Sequence, residues 1–316
     1  MARIIISNSL NPYENLGLEE YLLQNHDGIP VLYLWQNKKT VVIGKYQNAF
    51  EECNLEVMKE LEVTLARRIT GGGAVYHHTG NLNFSFILSN EQYDTNRQLQ
   101  VIINALKTIG IDAYFSGRND ILVSEKKFSG NAFYNGEQSS LHHGTILISE
   151  NKDLIEKVLN VKDAKLISKG VKSIKSRIIN LNEINPKLTP SIISDLLIKS
   201  FEAEYGKATF LSVDSNLFKK NSLKFCSNDW LYGKNPTYNK IIHGRTVYGN
   251  LDVYLLLKDN IIKSATVYTD SLLPDLSTKL EYALNGAYFS ISGILNLILD
   301  EKFDKNEFVS FFFPKD

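Results

Sequence analysis

The 316-residue sequence predicts an α+β protein: one large unit followed by a small one. Three observations carry that reading. Strand-like and helix-like apolar periodicities are interspersed from Ile4 to Phe201. A stretch rich in Gly, Asn, Pro and aromatics, Trp230 to Tyr238, then breaks the pattern as a linker or docking segment. Beyond it, a strand hairpin and two helices make a small α+β unit. The divisions expected are residues 1–233, a linker at 234–242, and residues 243–316.

In order, Ile4-Ile5-Ile6 is a short strand, and Asn11-Pro12 opens a helix with Leu18, Tyr21, Leu22 and Leu23 as its apolar stripe. Val31 to Trp35 and Thr40 to Ile43 read as paired strands joined by a polar connection, and Glu51 to Leu61 as a helix. Leu82 to Leu88 is a strand, and Thr95 to Ile109 a helix with Leu99, Ile102, Ile103, Leu106 and Ile109 on one face. Strands follow at Ile121 to Val123, around Lys127, and at Leu141 to Ile148, with helices at Asn151 to Leu159 and after Thr189-Pro190. The final unit pairs Leu251 to Leu257 with Ile261 to Tyr268, then adds helices at Leu276 to Leu284 and Ile291 to Leu299.

Composition narrows the function classes. Lys+Arg equals Asp+Glu at 35 each, so no global charge favours nucleic acid or a membrane surface. No apolar run is long enough to span a bilayer and no signal-peptide core opens the chain. Two distant cysteines, Cys53 and Cys226, offer no disulfide framework, which points to a reducing, cytoplasmic setting.

The chemistry concentrates in Arg67 to Phe86. Gly71-Gly72-Gly73 supplies no side chains for packing, and three successive glycines are costly to order. They suit backbone lying against a ligand, with exposed N–H groups facing an anion. Arg67 and Arg68 add cations able to grip phosphate or carboxylate. A plain hairpin turn is the alternative. No Gly-Lys-Ser/Thr phosphate loop is present, and the residues after the glycines favour strand, so a dinucleotide fingerprint fails too.

Four further candidates stand out. Asp120 follows Gly117-Arg-Asn and is either turn chemistry or a carboxylate for Mg²⁺ bridging phosphates. Lys127 follows a polar turn beside Ser129-Gly130-Asn131; it is either solvated or placed to offset converging anions, with Lys126 on the opposite face. His77-His78 and His142-His143 cannot chelate as adjacent pairs on strands, which disfavours zinc. Lys162, Lys165, Lys169, Lys172, Lys175 and Arg177 form a basic segment around Gly170, either a solvated surface or a loop closing over phosphates.

Taken in order, several motifs resemble the lipoate-protein ligase A family over nearly the whole chain. They are Thr40-Val-Val-Ile-Gly-Lys-Tyr-Gln-Asn48, Arg67-Arg68-x-x-Gly-Gly-Gly-Ala-Val-Tyr-His77, Gly117-Arg-Asn-Asp120, Lys127-x-Ser-Gly-Asn-Ala132, His142-His-Gly-Thr145, Lys169 to Leu181, and Trp230-x-Tyr-Gly-x-x-Pro-x-Tyr238. The resemblance implies a large mixed-sheet domain of the biotin/lipoate ligase type with a small α+β C-terminal accessory domain. It implies ATP-dependent activation of lipoate to lipoyl-AMP, then transfer to a lysine of an acceptor, either a lipoyl domain or a glycine cleavage H protein. It makes Lys127 the catalytic lysine and places Arg68, Gly73, Ala74, Val75, Tyr76, Lys127 and Asp120 at ATP. Lys127, Gly72, Gly73 and His77 fall at lipoate, Asp120 at Mg²⁺, and the basic segment over the adenylate. Two competing functions remain: an octanoyl or lipoyl transferase with a cysteine nucleophile, which would need Cys53 or Cys226 activated, and a non-catalytic lipoyl-sensing module.

Overall fold

The computed structural model describes residues 1–117, 119–160, 177–233 and 236–314; the basic segment from Lys162 to Lys175 lies outside them. In chain order the elements are β1 (Ala2–Ile6), α1 (Pro12–Gln24), β2 (Val31–Trp35), β3 (Thr40–Ile43), α2 (Ala49–Glu52), α3 (Leu55–Glu60), β4 (Thr64–Arg67), β5 (Val75–His77) and β6 (Asn81–Ser89). There follow α4 (Thr95–Lys107), β7 (Tyr114–Phe115), β8 (Asp120–Val123), β9 (Lys126–Asn135), β10 (Ser139–Leu147), α5 (Lys152–Val158), α6 (Pro190–Tyr205), β11 (Ala208–Phe210), α7 (Ser215–Phe225) and α8 (Asn228–Tyr232). The chain closes with β12 (Lys240–Thr246), β13 (Gly249–Lys258), β14 (Ile261–Thr269), α9 (Leu276–Leu284), α10 (Ile291–Leu295) and α11 (Lys305–Phe312).

The large unit is a mixed α+β fold around an eight-stranded sheet of order β11-β1-β2-β6-β10-β9-β8-β7. Strand β2 is buried throughout and β6 nearly so, because helices cover both faces of the sheet. On one face, Leu99, Ile102 and Leu106 of α4 and Ile193, Leu197 and Phe201 of α6 pack against Ile4, Leu32, Leu34, Phe84 and Phe86. Truncating a ring as deep as Phe201 to Ala costs about 3–5 kcal/mol in such a core. On the other face, Leu16, Leu23, Phe218 and Phe225 meet Tyr33, Trp35, Ile87 and Leu141. Local signals set the helix starts: Asn11 caps α1 with Pro12 in its first turn, and the Asp94 side chain accepts the Asn96 and Arg97 amides at the start of α4.

Two expectations about the large unit require correction. The strands at 31–35 and 40–43 are not partners: β2 lies between β1 and β6, whereas β3 is the centre of a second sheet of order β4-β3-β5. Their connection carries the chain from one sheet to the other, held by the buried Asn37 side chain accepting from Asn15 Nδ2. The helix expected at 51–61 is broken as well. Cys53 turns extended and bridges to Leu159, and the Asn54 side chain then caps a fresh helix by accepting the Val57 amide.

The C-terminal part has its own three-stranded sheet, β12-β13-β14, and its own core of Leu251, Val253, Leu255, Leu280, Phe308 and neighbours. Strand β12 begins at Lys240, inside the stretch expected as linker, and the expected 291–299 helix stops at Leu295. Helix α11 had no counterpart in the sequence reading. This unit docks on the large one through side chains, with the Tyr46 hydroxyl donating to Asp275 Oδ1 at 3.0 Å, and through backbone. The Thr269 amide donates to the Tyr46 carbonyl at 2.8 Å, and the Gly72 amide to the Ser271 carbonyl at 3.1 Å.

Candidate active site

The glycine loop takes its shape from the two arginines before it. The Arg67 guanidinium donates to the carbonyls of Gly44, Lys45, Gln47, Trp230 and Leu231. All five acceptors are backbone, so Arg67 is a structural clasp and not the anion fork its charge suggested. Arg68 donates through Nε to Thr70 Oγ1 at 3.0 Å, through Nη1 to the Val42 carbonyl at 3.1 Å, and through Nη2 to the Gly71 and Gly73 carbonyls at 2.7 and 2.8 Å. Burial draws both guanidinium pKa values down to about 10, which leaves both cationic at neutral pH. Two glycines are forced by geometry. Gly72 has φ +94°, and a Cβ on Gly44 would meet the Gly72 carbonyl oxygen at 2.2 Å.

The loop faces a cavity of about 400 Å³. Arg68, Gly72, Gly73, Ala74, Val75 and His77 line it from the loop and β5, and Lys127, Gly130, Asn131, His143 and Thr145 from β9 and β10. Leu16, Trp35, Val42 and Ala132 give it apolar surface, while Asp120, Arg177, Arg245 and Asp270 give it charge. Apolar surface with convergent polar groups suits a ligand that has a hydrocarbon part and an ionised end.

Lys127 is fixed at its backbone from both sides. It pairs with Leu122 of β8, its amide donates to the Arg177 carbonyl at 2.8 Å, and its carbonyl accepts from the Ile179 amide at 2.9 Å. The β8–β9 hairpin turns through Ser124 and Glu125, both at positive φ, so Lys126 faces solvent while Lys127 enters the cavity. Lys127 Nζ lies 2.7 Å from Asp120 Oδ1, at ion-pair distance but not aligned as a hydrogen bond.

The histidine pairs split across their strands. His77 lines the cavity and accepts at Nδ1 from Asn37 Nδ2 at 3.2 Å, while Nε2 is buried with no partner among the described residues. Burial, with Arg68 as a second cause, pushes its pKa down to about 3. His143 also lines the cavity. His142 points the other way, among the Phe84, Phe86 and Phe133 rings, with its pKa lowered to about 3 by burial. Among the described residues, no three His, Cys, Asp or Glu side chains gather to hold a metal alone.

Of the expected nucleotide residues, Tyr76 alone does not line the cavity. Its ring is buried in a separate core beside the β4-β3-β5 sheet, with Val41, Leu65 and Leu147, which leaves only its backbone near the loop. The sequence reading missed Trp35, Asn83, Asn131, Arg245 and Asp270. Asn83 and Asn131 were legible as polar residues recurring on buried strands; Arg245 and Asp270 carried no local signal.

Residues 11–202 match the model of the lipoyl protein ligase A/B catalytic domain, and residues 235–312 that of the bacterial lipoate protein ligase C-terminus. The chain belongs to the lipoate-protein ligase A family. The lipoate-protein ligase A of Bdellovibrio bacteriovorus is 38% identical over 296 residues, covering 90% of this chain and 87% of that protein. Among solved structures, P. falciparum LipL1 in complex with lipoate superposes with a TM-score of 0.86 at 32% identity, covering 98% of both chains. The bipartite lipoate protein ligase of Thermoplasma acidophilum, solved in a study with its E2 lipoyl domain, gives 0.67 at 27% identity, covering 76% of this chain and 99% of that one. A lipoate-protein ligase A bound with ATP gives 0.65 at 25%, covering 73% and 98%.

Membership of this ligase family makes the chain an enzyme. As in the family, helices flank a large mixed sheet and a smaller C-terminal unit follows. Among the described residues, no helix is long and apolar enough to cross a membrane.

Proposed function

We propose that the chain is an ATP-dependent lipoate-protein ligase acting through an acyl-adenylate. The observation that carries this reading is the meeting of Lys127, Asp120 and the Gly72–Val75 loop in one cavity that also has apolar surface. A carboxylate oxygen of lipoate attacks the α-phosphorus of ATP, the α–β bridging P–O bond breaks, and pyrophosphate leaves. The acceptor lysine amine then attacks the acyl carbon, AMP leaves, and the amine proton is released.

The barrier to the first step is charge, because one anion approaches another. Lys127 is assigned as the catalytic lysine between the lipoate carboxylate and the α-phosphate. Arg68 and the backbone of Gly73 to Tyr76 are assigned to the nucleotide, and Gly72, Gly73 and His77 to lipoate. A preorganised donor of this kind is worth roughly 10²–10³ in rate. Asp120 is the carboxylate that would hold Mg²⁺. A single carboxylate on a cavity wall fits an ion whose other ligands are phosphate and water, and the ion would neutralise phosphate charge.

The LipL1–lipoate and ATP-bound structures support lipoate as substrate and ATP as co-substrate, and the archaeal ligase studied with its E2 lipoyl domain supports a lipoyl domain as acceptor; a glycine cleavage H protein is the other acceptor of the proposal. The division into a catalytic domain at 1–233, a linker at 234–242 and an accessory domain at 243–316 belongs to the same proposal, as does a cytoplasmic setting with both cysteines free. Neither thiol favours the cysteine-dependent transferase. Cys53 is buried outside the cavity with its pKa raised to about 12, and Cys226 is exposed and outside it too. The test is modification of a purified lipoyl domain, read by intact mass. A lipoyl adduct that needs both lipoate and ATP supports the proposal; an adduct formed without ATP favours a transferase.

A further inference from the structure

A chain of buried polar groups runs behind the cavity wall and ends on the glycine loop. Glu19 of α1 sits in the interior, and its Oε1 accepts from Ser85 Oγ at 2.5 Å and from His143 Nδ1 at 2.8 Å. His143 Nε2 lies 2.8 Å from Thr70 Oγ1, which accepts from Arg68 Nε at 3.0 Å. Trp35 Nε1 donates to Ser85 Oγ at 3.0 Å, so a second cavity-lining side chain joins the same carboxylate. The carboxylate end sets the direction: an ionised Glu19 only accepts, so the proton it shares with His143 sits on Nδ1; a neutral ring can then only accept at Nε2, and Thr70, which accepts from Arg68 with one lone pair, gives its hydrogen there.

We propose that His143 is a positioning residue: with Thr70 and Glu19 it forms a directed relay that sets the Arg68 guanidinium, and through it the amides of the glycine loop, for nucleotide binding. The relay rests on the reading of this cavity as an ATP site. Arg68 is its output because the same guanidinium grips both the Gly71 and Gly73 carbonyls, and Gly73 and Ala74 line the cavity directly. Glu19 supplies the buried countercharge to Arg68 at the far end of the chain, attracting it without touching it. A buried carboxylate with two donors and a buried arginine bonded otherwise to carbonyls would each lack a charge partner without this link. Removing the threonine hydroxyl therefore cuts the link between His143 and the guanidinium without opening a hole, while the Val42, Gly71 and Gly73 carbonyls still hold Arg68.

The test compares the wild type with Thr70→Val, Thr70→Ser and Glu19→Gln in lipoate-dependent ATP–pyrophosphate exchange, alongside thermal melts. Thr70→Val is expected to raise KM for ATP about tenfold, the worth of one hydrogen bond to a charged group, while KM for lipoate stays within about twofold. Thr70→Ser should restore most of the loss, and Glu19→Gln should follow Thr70→Val. Unchanged ATP kinetics in a folded Thr70→Val would overturn the relay, as would equal losses in KM for both substrates. A histidine-ring spectrum tests it without turnover: long-range proton–nitrogen correlation, assigned by the signal missing in His143→Gln, should show the Nδ1–H tautomer with Nε2 as acceptor. An Nε2–H tautomer contradicts the relay. Absence of exchange in a folded wild type would instead reject the ATP reading, with the ring spectrum still deciding the relay.

Discussion

Lys127 Nζ stands 2.7 Å from Asp120 Oδ1, so the proposed catalytic lysine and the proposed metal carboxylate meet across the β8–β9 hairpin. Both side chains are about a third exposed, 29% and 33%, and a pair so placed adds only about 0–1 kcal/mol to stability. Asp120→Asn should therefore melt close to the wild type yet lose about a hundredfold in adenylation rate. A thermal melt beside an exchange assay separates the two effects.

Gly130→Ala addresses the placement of Lys127 without removing its charge. A Cβ at position 130 would meet Lys127 Nζ at 2.7 Å and Cε at 2.8 Å. These atoms are the end of a flexible side chain, so the lysine swings aside and the strand stays put. Exchange should fall about tenfold or more, because misplacing a catalytic group by an ångström costs that much, while stability changes by less than about 1 kcal/mol. Lysine reactivity toward an amine label would report the displaced side chain.

Gly71→Ala should behave differently, since its Cβ would meet backbone, the Ser271 carbonyl oxygen at 2.3 Å. Either the glycine loop or the segment after β14 must move, and overpacking of this kind costs about 1–3 kcal/mol. Urea denaturation should show that loss, together with a raised KM for ATP, because Gly72 donates to the same carbonyl.

Stability should depend on pH through three buried groups, His77 and His142 of one sign and Glu150 of the other. His142 is held neutral in the fold, its pKa near 3, whereas unfolded it takes a proton near 6.5. Its contribution is full above 6.5 and is lost as pH falls, by roughly 1 kcal/mol between pH 6.5 and 5.5. Glu150 is raised by burial to about 7 from 4.5, so it stays protonated in the fold until higher pH and gains stability over the same descent. His142→Gln should flatten the acid-side loss measured by urea midpoints, and Glu150→Gln should steepen it.

What could be read from the sequence was whatever announced itself by residue type. Three glycines beside two arginines marked the loop, because such a run has few packing uses, whereas Lys127 was singled out by the family resemblance, a lysine after a polar turn being solvated as often as not. The relay was hidden for the opposite reason: Glu19, Thr70 and Ser85 look like ordinary helix and strand residues until the sheet brings α1, β6 and β10 together. Charge alone also misled. Arg67 and Arg68 are adjacent and identical, yet one clasps backbone carbonyls away from the cavity and the other lines it. Pairing order failed at β2 and β3 because sequence neighbours belong to different sheets, and Arg245 and Asp270 reach the cavity only through docking of the C-terminal unit.

The most direct measurement is lipoate-dependent ATP–pyrophosphate exchange in the wild type and in Lys127→Ala, with no acceptor protein present. An adenylating ligase centred on Lys127 predicts robust exchange in the wild type and a loss of about two to three orders of magnitude in a variant that still folds. Wild-type exchange undiminished in Lys127→Ala would contradict the assignment of that lysine, and no exchange in the folded wild type would contradict adenylation itself.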